Sequence, residues 1–200
     1  MVKLTKNALK AERDALQRFS RYLPTLQLKK QQLQMETQRV RRELDEAREE
    51  INRIEADVKS WIQLLDQAST ETLLENLSVK EWRTGIHNVA GVDTSVFEGA
   101  EFELADLDYF ATPFWFDEVL KTARDLTERR LKLQLLEEQI IALEDELRIT
   151  SQRVNLFEKV KIPEARENIR MIQIFLGDQQ TAAVARAKIA KSKTQALEAL

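Results

Sequence analysis

Few residues in this chain have a type and spacing that could support catalysis. The sequence contains no cysteine, which excludes a thiol nucleophile, a zinc ribbon and a disulfide scaffold. Its one histidine, His87, belongs to the residue type most often used as a general base, although a lone histidine is more often structural or exposed. Gly85 and Gly91 are six residues apart, but Val92 follows where a P-loop needs lysine. We therefore expect no catalytic residue, no nucleotide or other cofactor, and no metal.

An acidic cluster in the first third of the chain contains enough carboxylates for a cation site, but it is interleaved with arginines. The acids are Glu43, Asp45, Glu46, Glu49 and Glu50, and the bases are Arg41, Arg42 and Arg48. Opposite charges three or four residues apart pair on the surface of a helix. We interpret the cluster as the solvated face of a helix.

Charge is distributed unevenly along the chain, although the total is only −3. Residues 1–30 carry a net charge of +6 and residues 71–118 carry one of −9. Basic clusters can neutralise phosphates, but few aromatic residues accompany this one, so we do not expect nucleic-acid binding. No apolar run approaches the ~18 residues that a membrane span needs. We therefore expect no direct membrane insertion and a cytoplasmic location.

These side chains must be positioned mainly by helices, because glycine and proline number only 4 and 3 in 200 residues. A heptad frame from Leu9 to Leu65 places apolar residues at 14 of its 17 seam positions. The frame covers 57 residues, and a helix of that length is about 85 Å long, so we expect an elongated molecule. Pro24 lies on the outward side of the frame and predicts a bend in a continuous helix.

A second helical arm is predicted to begin at Thr112-Pro113, with Thr112 as the N-cap. Its frame from Trp115 to Phe157 is apolar at ten of 13 seam positions. Near Pro163 the frame advances by one residue and resumes at Ile162, a slip that changes the supercoil locally.

Two such arms predict one antiparallel hairpin, and the heptad pattern allows a register in which the numbers of facing residues total 180. Leu44 then faces Leu136, and Lys30 faces Thr150 in a polar step that fixes the register. The predicted fold is mainly α: a long antiparallel, left-handed two-helix coiled coil with a small β-hairpin and short-helix insert. We expect arms at residues 1–68 and 112–180, a head at 69–111, and a basic, partly frayed end at 181–200.

The head concentrates aromatic residues and glycines, and its composition favours strands. Residues 78–89 and 95–104 are predicted to pair as a β-hairpin through a five-residue loop at 90–94. Since a two-stranded hairpin is marginal alone, we expect it to lean on the adjoining helix ends.

Four apolar residues lie off the predicted seam. Leu28 and Met35 are seven residues apart on the outward side of the first arm, and Leu131 and Leu135 are off the frame of the second. Scattered surface apolar residues need no explanation, but pairs of them can also dock a partner protein. Both interpretations remain open, and the four residues are candidate partner contacts.

Several blocks of this sequence resemble the D subunit of the V-type and A-type rotary ATPases. The residues of the N-terminal blocks are most similar to those of the bacterial V-type branch. The most specific block runs from Ser151 through Arg153-Val154-Asn155 and Ile162-Pro163 to Ile172. Residues 3–7, 26–33 and 88–92 also resemble family blocks. Near the C-terminus an Arg-x-Lys motif is present as Arg186 and Lys188, but Val184-Ala185 stands where many members have two phenylalanines.

The resemblance implies a non-catalytic central-stalk shaft that transmits rotation between a catalytic ring and an ion-translocating membrane ring. Its implied partners are the ATPase subunits A and B around the tip, the F subunit of the stalk, and the funnel-shaped component (C or d type) that caps the membrane ring. Arg186 and Lys188 become candidate contacts to the catalytic subunits. Pro24 and Pro163 would bend the shaft and make it asymmetric, while Lys30 and Thr150 would set its register.

The alternative from another functional class is a free-standing antiparallel coiled-coil adaptor or tether. It would share the heptads, but it would not explain the family-like blocks, the separated charges or the aromatic head. A shaft like that of the F-type ATPases would need an α/β domain between the arms, and about 45 residues are too few for one.

Overall fold

The computed structural model describes residues 3–62, 67–103, 113 and 115–198. The chain is mainly α, as predicted, with one small antiparallel hairpin. Helix α1 (Lys6–Trp61) and the short helix α2 (Gln67–Asn76) precede strands β1 (Val79–Val89) and β2 (Val92–Phe102). Helix α3 (Phe116–Leu156), a π-turn (Phe157–Lys161) and helix α4 (Ile162–Glu198) follow.

Helix α1 begins at a threonine cap and continues through its proline. The Thr5 hydroxyl oxygen accepts a hydrogen bond from the Ala8 backbone N–H at 3.2 Å, which satisfies one of the free donors of the first turn. Pro24 is exposed within the helix, and next to it the Thr25 hydroxyl donates to the Tyr22 carbonyl at 2.8 Å. The prediction of one continuous helix across Pro24 is confirmed.

The second arm starts three residues later than predicted. Thr112 lies outside the described residues, and Pro113 precedes the helix rather than opening it. The Phe116 N–H donates to the Pro113 carbonyl at 3.0 Å, and regular helix begins there. Asp117 and Glu118 occupy the first turn, where carboxylates interact favourably with the helix dipole.

The predicted five-residue loop of the β-hairpin is wrong, because the strands are joined by only two residues. Ala90 and Gly91 have φ angles of 51° and 82°, the left-handed pair that a type I′ turn requires. The Asn88 side chain holds this turn: its oxygen accepts from the Gly91 N–H at 3.1 Å and its amide donates to Asp93 at 2.5 Å. Residues 92–94 therefore belong to β2.

Contacts divide the chain into two units. One is Lys30–Arg148, whose core contains Leu33, Val40 and Leu44 from α1 and Leu136 and Leu143 from α3. Partly buried residues extend this core to Ala47 and Leu133 in one direction and to Leu147 in the other. In the predicted register, Leu33 faces Leu147 and Ala47 faces Leu133. The first and last residues of the core on α1 therefore face the last and first residues of the core on α3.

The other unit consists of Met1–Lys29 and Ile149–Leu200. Its buried apolar residues are Val154, Ile162, Ala165 and Ile172. The rings of Phe19 on α1 and Phe157 pack with centroids 5.1 Å apart. The predicted one-residue slip of the frame coincides with the π-turn that separates α3 from α4.

Candidate functional site

Three ion pairs join α1 to α3 along one edge of the seam in the Lys30–Arg148 unit. Arg41 contacts Glu144 at 2.5 Å, Arg48 contacts Glu137 at 2.7 Å, and Arg130 contacts Glu55 at 2.7 Å. On α1 these residues recur every seven positions, each directly after a seam residue, as flanking positions of a coiled coil do. The hydrogen bond from Arg130 lowers the pKa of Glu55. Each exposed ion pair of this kind adds little to the stability of the protein. Together the three pairs line one edge of the seam.

The β-hairpin packs along the seam of the same unit at the other edge. Val89, Ala90 and Val92 contact the core cluster. The buried Gln139 side chain, directly before a seam residue of α3, donates its amide N–H to the Ser95 carbonyl. We predicted that the hairpin contacts the adjoining helix ends. The structure shows that the tip of the hairpin also packs against the core cluster formed by α1 and α3.

Glu36 on α1 has a lowered pKa, and its main cause lies within the helix. Glu36 lies directly before a seam residue of α1, on the flank opposite the three ion pairs. The pKa of Glu36 is lowered, first by a hydrogen bond from Arg39 and also by the charge of His87 on β1. The His87 side chain is exposed, and its backbone carbonyl accepts a hydrogen bond from the Thr94 hydroxyl at 2.9 Å.

Arg124 joins three elements at the base of the hairpin. Its guanidinium donates to the Asn76 carbonyl at the end of α2, with a shortest distance of 3.2 Å, where a cation also interacts favourably with the helix dipole. It also lies 5.4 Å from the centre of the Phe102 ring at the end of β2. The sequence did not predict this role, because nothing in the spacing of Arg124 distinguishes it from solvated helix arginines.

An apolar groove of about 400 Å³ lies where α1 ends, α2 follows and α3 begins. Leu74 on its rim is 65% exposed. The apolar lining includes Val58, Ile62, Leu73, Leu77, Val119 and Leu126. This surface was not predicted either, because α2 carries no strong heptad pattern.

Two polar residues at seam positions of the Lys30–Arg148 unit, Thr37 and Arg129, have partners. The buried Thr37 hydroxyl donates to the Leu33 carbonyl at 2.8 Å within α1. Arg129 on α3 pairs with Glu50 of α1 and with Asp125 at 2.9 Å. Because these groups are satisfied, they interrupt the apolar seam at little energetic cost.

The other unit contains a polar seam contact that the heptad pattern did not single out. Asn168 is buried, and its amide donates to the Glu12 carboxylate at 3.3 Å.

Thr150, one member of the predicted polar step, is 1% exposed, and Lys30, the other member, is half-buried. Their pairing stays a prediction. Pro24 and Pro163, the predicted bend positions, are both exposed.

The four off-seam candidates differ in exposure. Leu28 and Met35 are 56% and 64% exposed, and Leu131 is half-buried. The expectation that Leu135 lies on the surface is wrong, because its side chain is only 3% exposed. Leu135 lies one turn before Gln139, on the face of α3 that the hairpin covers, and the heptad pattern did not predict that cover.

Arg186 and Lys188 lie on the C-terminal half of α4, which differs from the rest of the described helices. Every described side chain from residue 177 to residue 195 is exposed, including Val184 and Ile189. Apolar residues that a helix leaves in water can form a docking surface for another protein.

Comparison with known proteins identifies the family of this chain. A family model described as the D subunit of ATP synthase matches residues 8–192, nearly the whole chain. The chain belongs to the ATP synthase D-subunit family. The match includes both long arms, the hairpin, the π-turn and most of α4.

Curated relatives match this chain along nearly their whole length. A protein of Borreliella burgdorferi, named as the D subunit of a V-type ATP synthase, is 45% identical over 192 residues, which cover 96% of this chain and 94% of that protein. Proteins of the same name from Chlamydia abortus and Chlamydia pneumoniae are 33% and 31% identical over 195 residues, covering 97% of this chain and 94% and 93% of theirs. The predicted family is confirmed, and these relatives are bacterial.

The structure gives a physical reason for the block of sequence that best predicted the family. Val154, Ile162 and Ile172 are buried residues of that block, while Arg153 and Asn155 face solvent. The π-turn lies between Val154 and Ile162.

The part of the chain that the structure describes contains no helix with an apolar stretch of the length that a membrane span requires.

Proposed function

We propose that this chain is the central-stalk rotor shaft of a V/A-type ATPase. It transmits rotation between the catalytic ring of subunits A and B and the ion-translocating ring in the membrane, and contributes no catalytic residue. The observation that carries the proposal is the buried heptad seam of the Lys30–Arg148 unit, in a chain that belongs to the D-subunit family.

Torque transmission requires a part that resists twisting. Rotating α1 against α3 would separate Leu33, Val40 and Leu44 from their partners, which a close-packed core opposes. The ion pairs on one edge and the β-hairpin on the other add contacts that must also break. Because the two edges differ, the same unit presents a different surface at each rotational angle.

The exposed end of α4 is the surface that we assign to the catalytic subunits. Arg186 and Lys188 would supply charge and Val184 and Ile189 apolar area to the interior of the A/B ring. Leu28 and Met35 remain candidate contacts to the F subunit. The acidic head, with its apolar groove, is assigned to the funnel-shaped cap of the membrane ring. This placement makes the chain a cytoplasmic, peripheral component without nucleic-acid binding or direct membrane insertion.

Pro24 and Pro163 are assigned to bending of the shaft. Each removes a backbone donor from a helix, and the π-turn lies directly before Ile162-Pro163. Replacing both by alanine should lower coupled ATP hydrolysis in the assembled enzyme. Unchanged coupling in the double variant would contradict this assignment.

Reconstitution with the partner subunits tests the shaft itself. Affinity-tagged chain should co-purify with subunits A, B and F, and its omission should abolish ATP-driven ion transport. Leu143→Ala, which opens the seam, should lower transport in the assembled complex, whereas Ile141→Ala, on the exposed side of the same turn, should not. A free-standing adaptor, which family membership does not favour, would co-purify with none of these subunits.

A further inference from the structure

The two strands of the β-hairpin differ in what lies along their outer edges. The residues that flank a two-residue type I′ turn exchange backbone hydrogen bonds, and bonded and non-bonded pairs then alternate along the ladder. Val89 and Val92 flank the turn, so every second residue of β1 from Asn88 backwards directs its backbone N–H and C=O away from β2. On β2 the Ser95 carbonyl points outward in the same way, and it accepts from the Gln139 amide. The outer edge of β2 therefore faces α3.

The outer edge of β1 is open. Its outward backbone groups belong to Trp82, Thr84, Ile86 and Asn88. The bulge in the ladder does not interrupt this series, because its extra residue, Glu98, lies on β2. Among the described residues, no backbone group outside the hairpin bonds to these four. Ile86 is 81% exposed, so no helix lies against this edge, and an open edge is a template for another strand.

The side chains along this edge are complementary to those of the same edge in a second copy of the chain. When two β1 strands run antiparallel about Thr84, Trp82 of each copy lies beside Ile86 of the other. Both side chains have area to bury, since Trp82 is 39% exposed and Ile86 still more. The two Thr84 residues face each other at the centre. Aromatic–β-branched pairs and Thr–Thr pairs are both stabilising between neighbouring strands.

The charges on the other face of β1 match in the same register. Glu81 lies opposite His87 of the other copy, and Arg83 lies opposite Gly85. The Glu98 carboxylate lies over Gly85, so closely that a methyl group on this glycine would be 2.5 Å from a carboxylate oxygen. Arg83 of one copy therefore approaches an acid of the other. Opposite charges on facing residues favour strand pairing.

The neighbouring register lacks this match. Shifting one strand by two residues places Arg83 opposite His87 and Trp82 opposite Asn88. The shift removes the apolar pair and brings a cation to the histidine, whose protonation would then be opposed. The side chains thus favour the arrangement centred on Thr84.

We propose that the outer edge of β1 binds a second copy of this chain, in an antiparallel pair centred on Thr84 that extends the two hairpins into one four-stranded sheet. The inference concerns the free chain and does not rest on the proposed shaft function. One strand from each copy buries less than a standard interface, so the dissociation constant should be about 10–100 µM. Because residues 71–118 carry a net charge of −9, added salt should strengthen the dimer by screening repulsion between the heads.

Sedimentation velocity of the full chain between about 1 and 500 µM tests the pairing. The wild type should change from monomer to dimer over this range. Ile86→Pro removes an outward N–H and the apolar side chain, and should weaken association by about tenfold or more. The hairpin ladder should survive, because this N–H points away from β2. Ile141→Ala, at an isoleucine of α3 that is 63% exposed, is the matched control and should dimerise as wild type does.

Cysteine pairs test the register independently of the proline variant. The chain has no cysteine, so every thiol is an introduced one. Glu81→Cys and His87→Cys occupy a non-hydrogen-bonded pair, in which Cα atoms are about 4.5 Å apart and a disulfide can form. A mixture of the two single variants should give covalent dimers on oxidation. Neither variant alone should do so, because its cysteine then faces no thiol.

Three results would overturn the proposal: a wild type that stays monomeric throughout, a dimer that Ile86→Pro leaves intact, or cross-linking of one variant alone as strong as that of the mixture. A monomeric wild type combined with loss of co-purification of ATPase subunits by Ile86→Pro would show that the edge binds a strand of a partner subunit instead. Concentration-dependent dimers that are lost in Ile86→Pro, together with cross-links confined to the mixture, would establish the pairing.

Discussion

The seam of the Lys30–Arg148 unit and the C-terminal half of α4 are both helical segments, but their apolar side chains have opposite surroundings. Leu33 and Leu143 are almost completely buried, whereas Val184 and Ile189 are more than half exposed. The seam is flanked by ion pairs and a β-hairpin, and the described side chains of residues 177–195 are all exposed. One segment is therefore stabilised by contacts within its unit, whereas the other leaves its apolar side chains in water.

Truncating the seam should produce the largest loss of stability. Leu143→Ala removes a buried side chain from the core cluster and leaves a cavity in it. The substitution should lower the unfolding free energy by about 2–5 kcal/mol. Ile189→Ala on α4 should change it by about 0.5 kcal/mol or less. Urea unfolding followed by circular dichroism measures both. Equal losses in the two variants would mean that the segments do not differ as described.

Removing the hairpin anchor should have the next largest effect. Gln139→Ala deletes the donor to the Ser95 carbonyl and should cost about 1–2 kcal/mol. Gln139→Glu keeps the shape but supplies an acceptor in place of a donor, and should cost at least as much. Both variants should speed tryptic cleavage after Arg83 on β1, whereas Gln152→Ala on the exposed side of α3 should not. Unchanged cleavage would show that this hydrogen bond does not hold the hairpin.

The sequence predicted the seam well because its signal is repeated many times. A period of 3.5 residues over dozens of positions identifies the buried face and limits the register, and the core cluster ends where that register requires. Even the slip near Pro163 was visible, since a single added residue shifts every later apolar position.

The errors have two physical causes, one local and one distant in sequence. The type I′ turn was missed because Ala90 adopts a positive φ, which alanine rarely does, and the compensating bonds come from Asn88. Leu135 was assigned to the surface, and Gln139 was not singled out, because a heptad pattern describes only the face between two helices. The cover that the hairpin provides depends on contacts distant in sequence, which no local period records.

An ion pair on α1 should contribute less than either change above, and only over part of the pH range. Arg39 donates to Glu36 at 2.5 Å and lowers its pKa below the ordinary 4.5. A carboxyl group with a lowered folded-state pKa stabilises the protein above its unfolded pKa, and this contribution disappears as the pH falls through the folded pKa. Glu36→Gln should therefore cost about 0.5 kcal/mol or less near pH 7, because the pair is partly solvated.

Thermal unfolding of wild type and Glu36→Gln between pH 7 and pH 3 tests the sign. The difference between them should shrink on acidification. Gln38→Ala, an exposed change two residues away, should give a small difference that does not depend on pH. A difference for Glu36→Gln that grows as the pH falls would contradict the direction of the pKa shift.

Charge reversal at the exposed end of α4 should leave the stability of the isolated chain almost unchanged, which makes it the sharpest test of the comparison. Arg186 and Lys188 are exposed, so Arg186→Glu with Lys188→Glu should shift the unfolding free energy by no more than about 0.5 kcal/mol. Binding to the A/B ring should weaken, most strongly at low salt, because exposed charges act mainly on association and are screened by ions. Arg41→Glu with Arg48→Glu, the same charge change on the seam edge, should instead lower stability. If the α4 variant binds the ring as tightly as wild type at low salt, the basic end is not a docking surface, and its exposure needs another explanation.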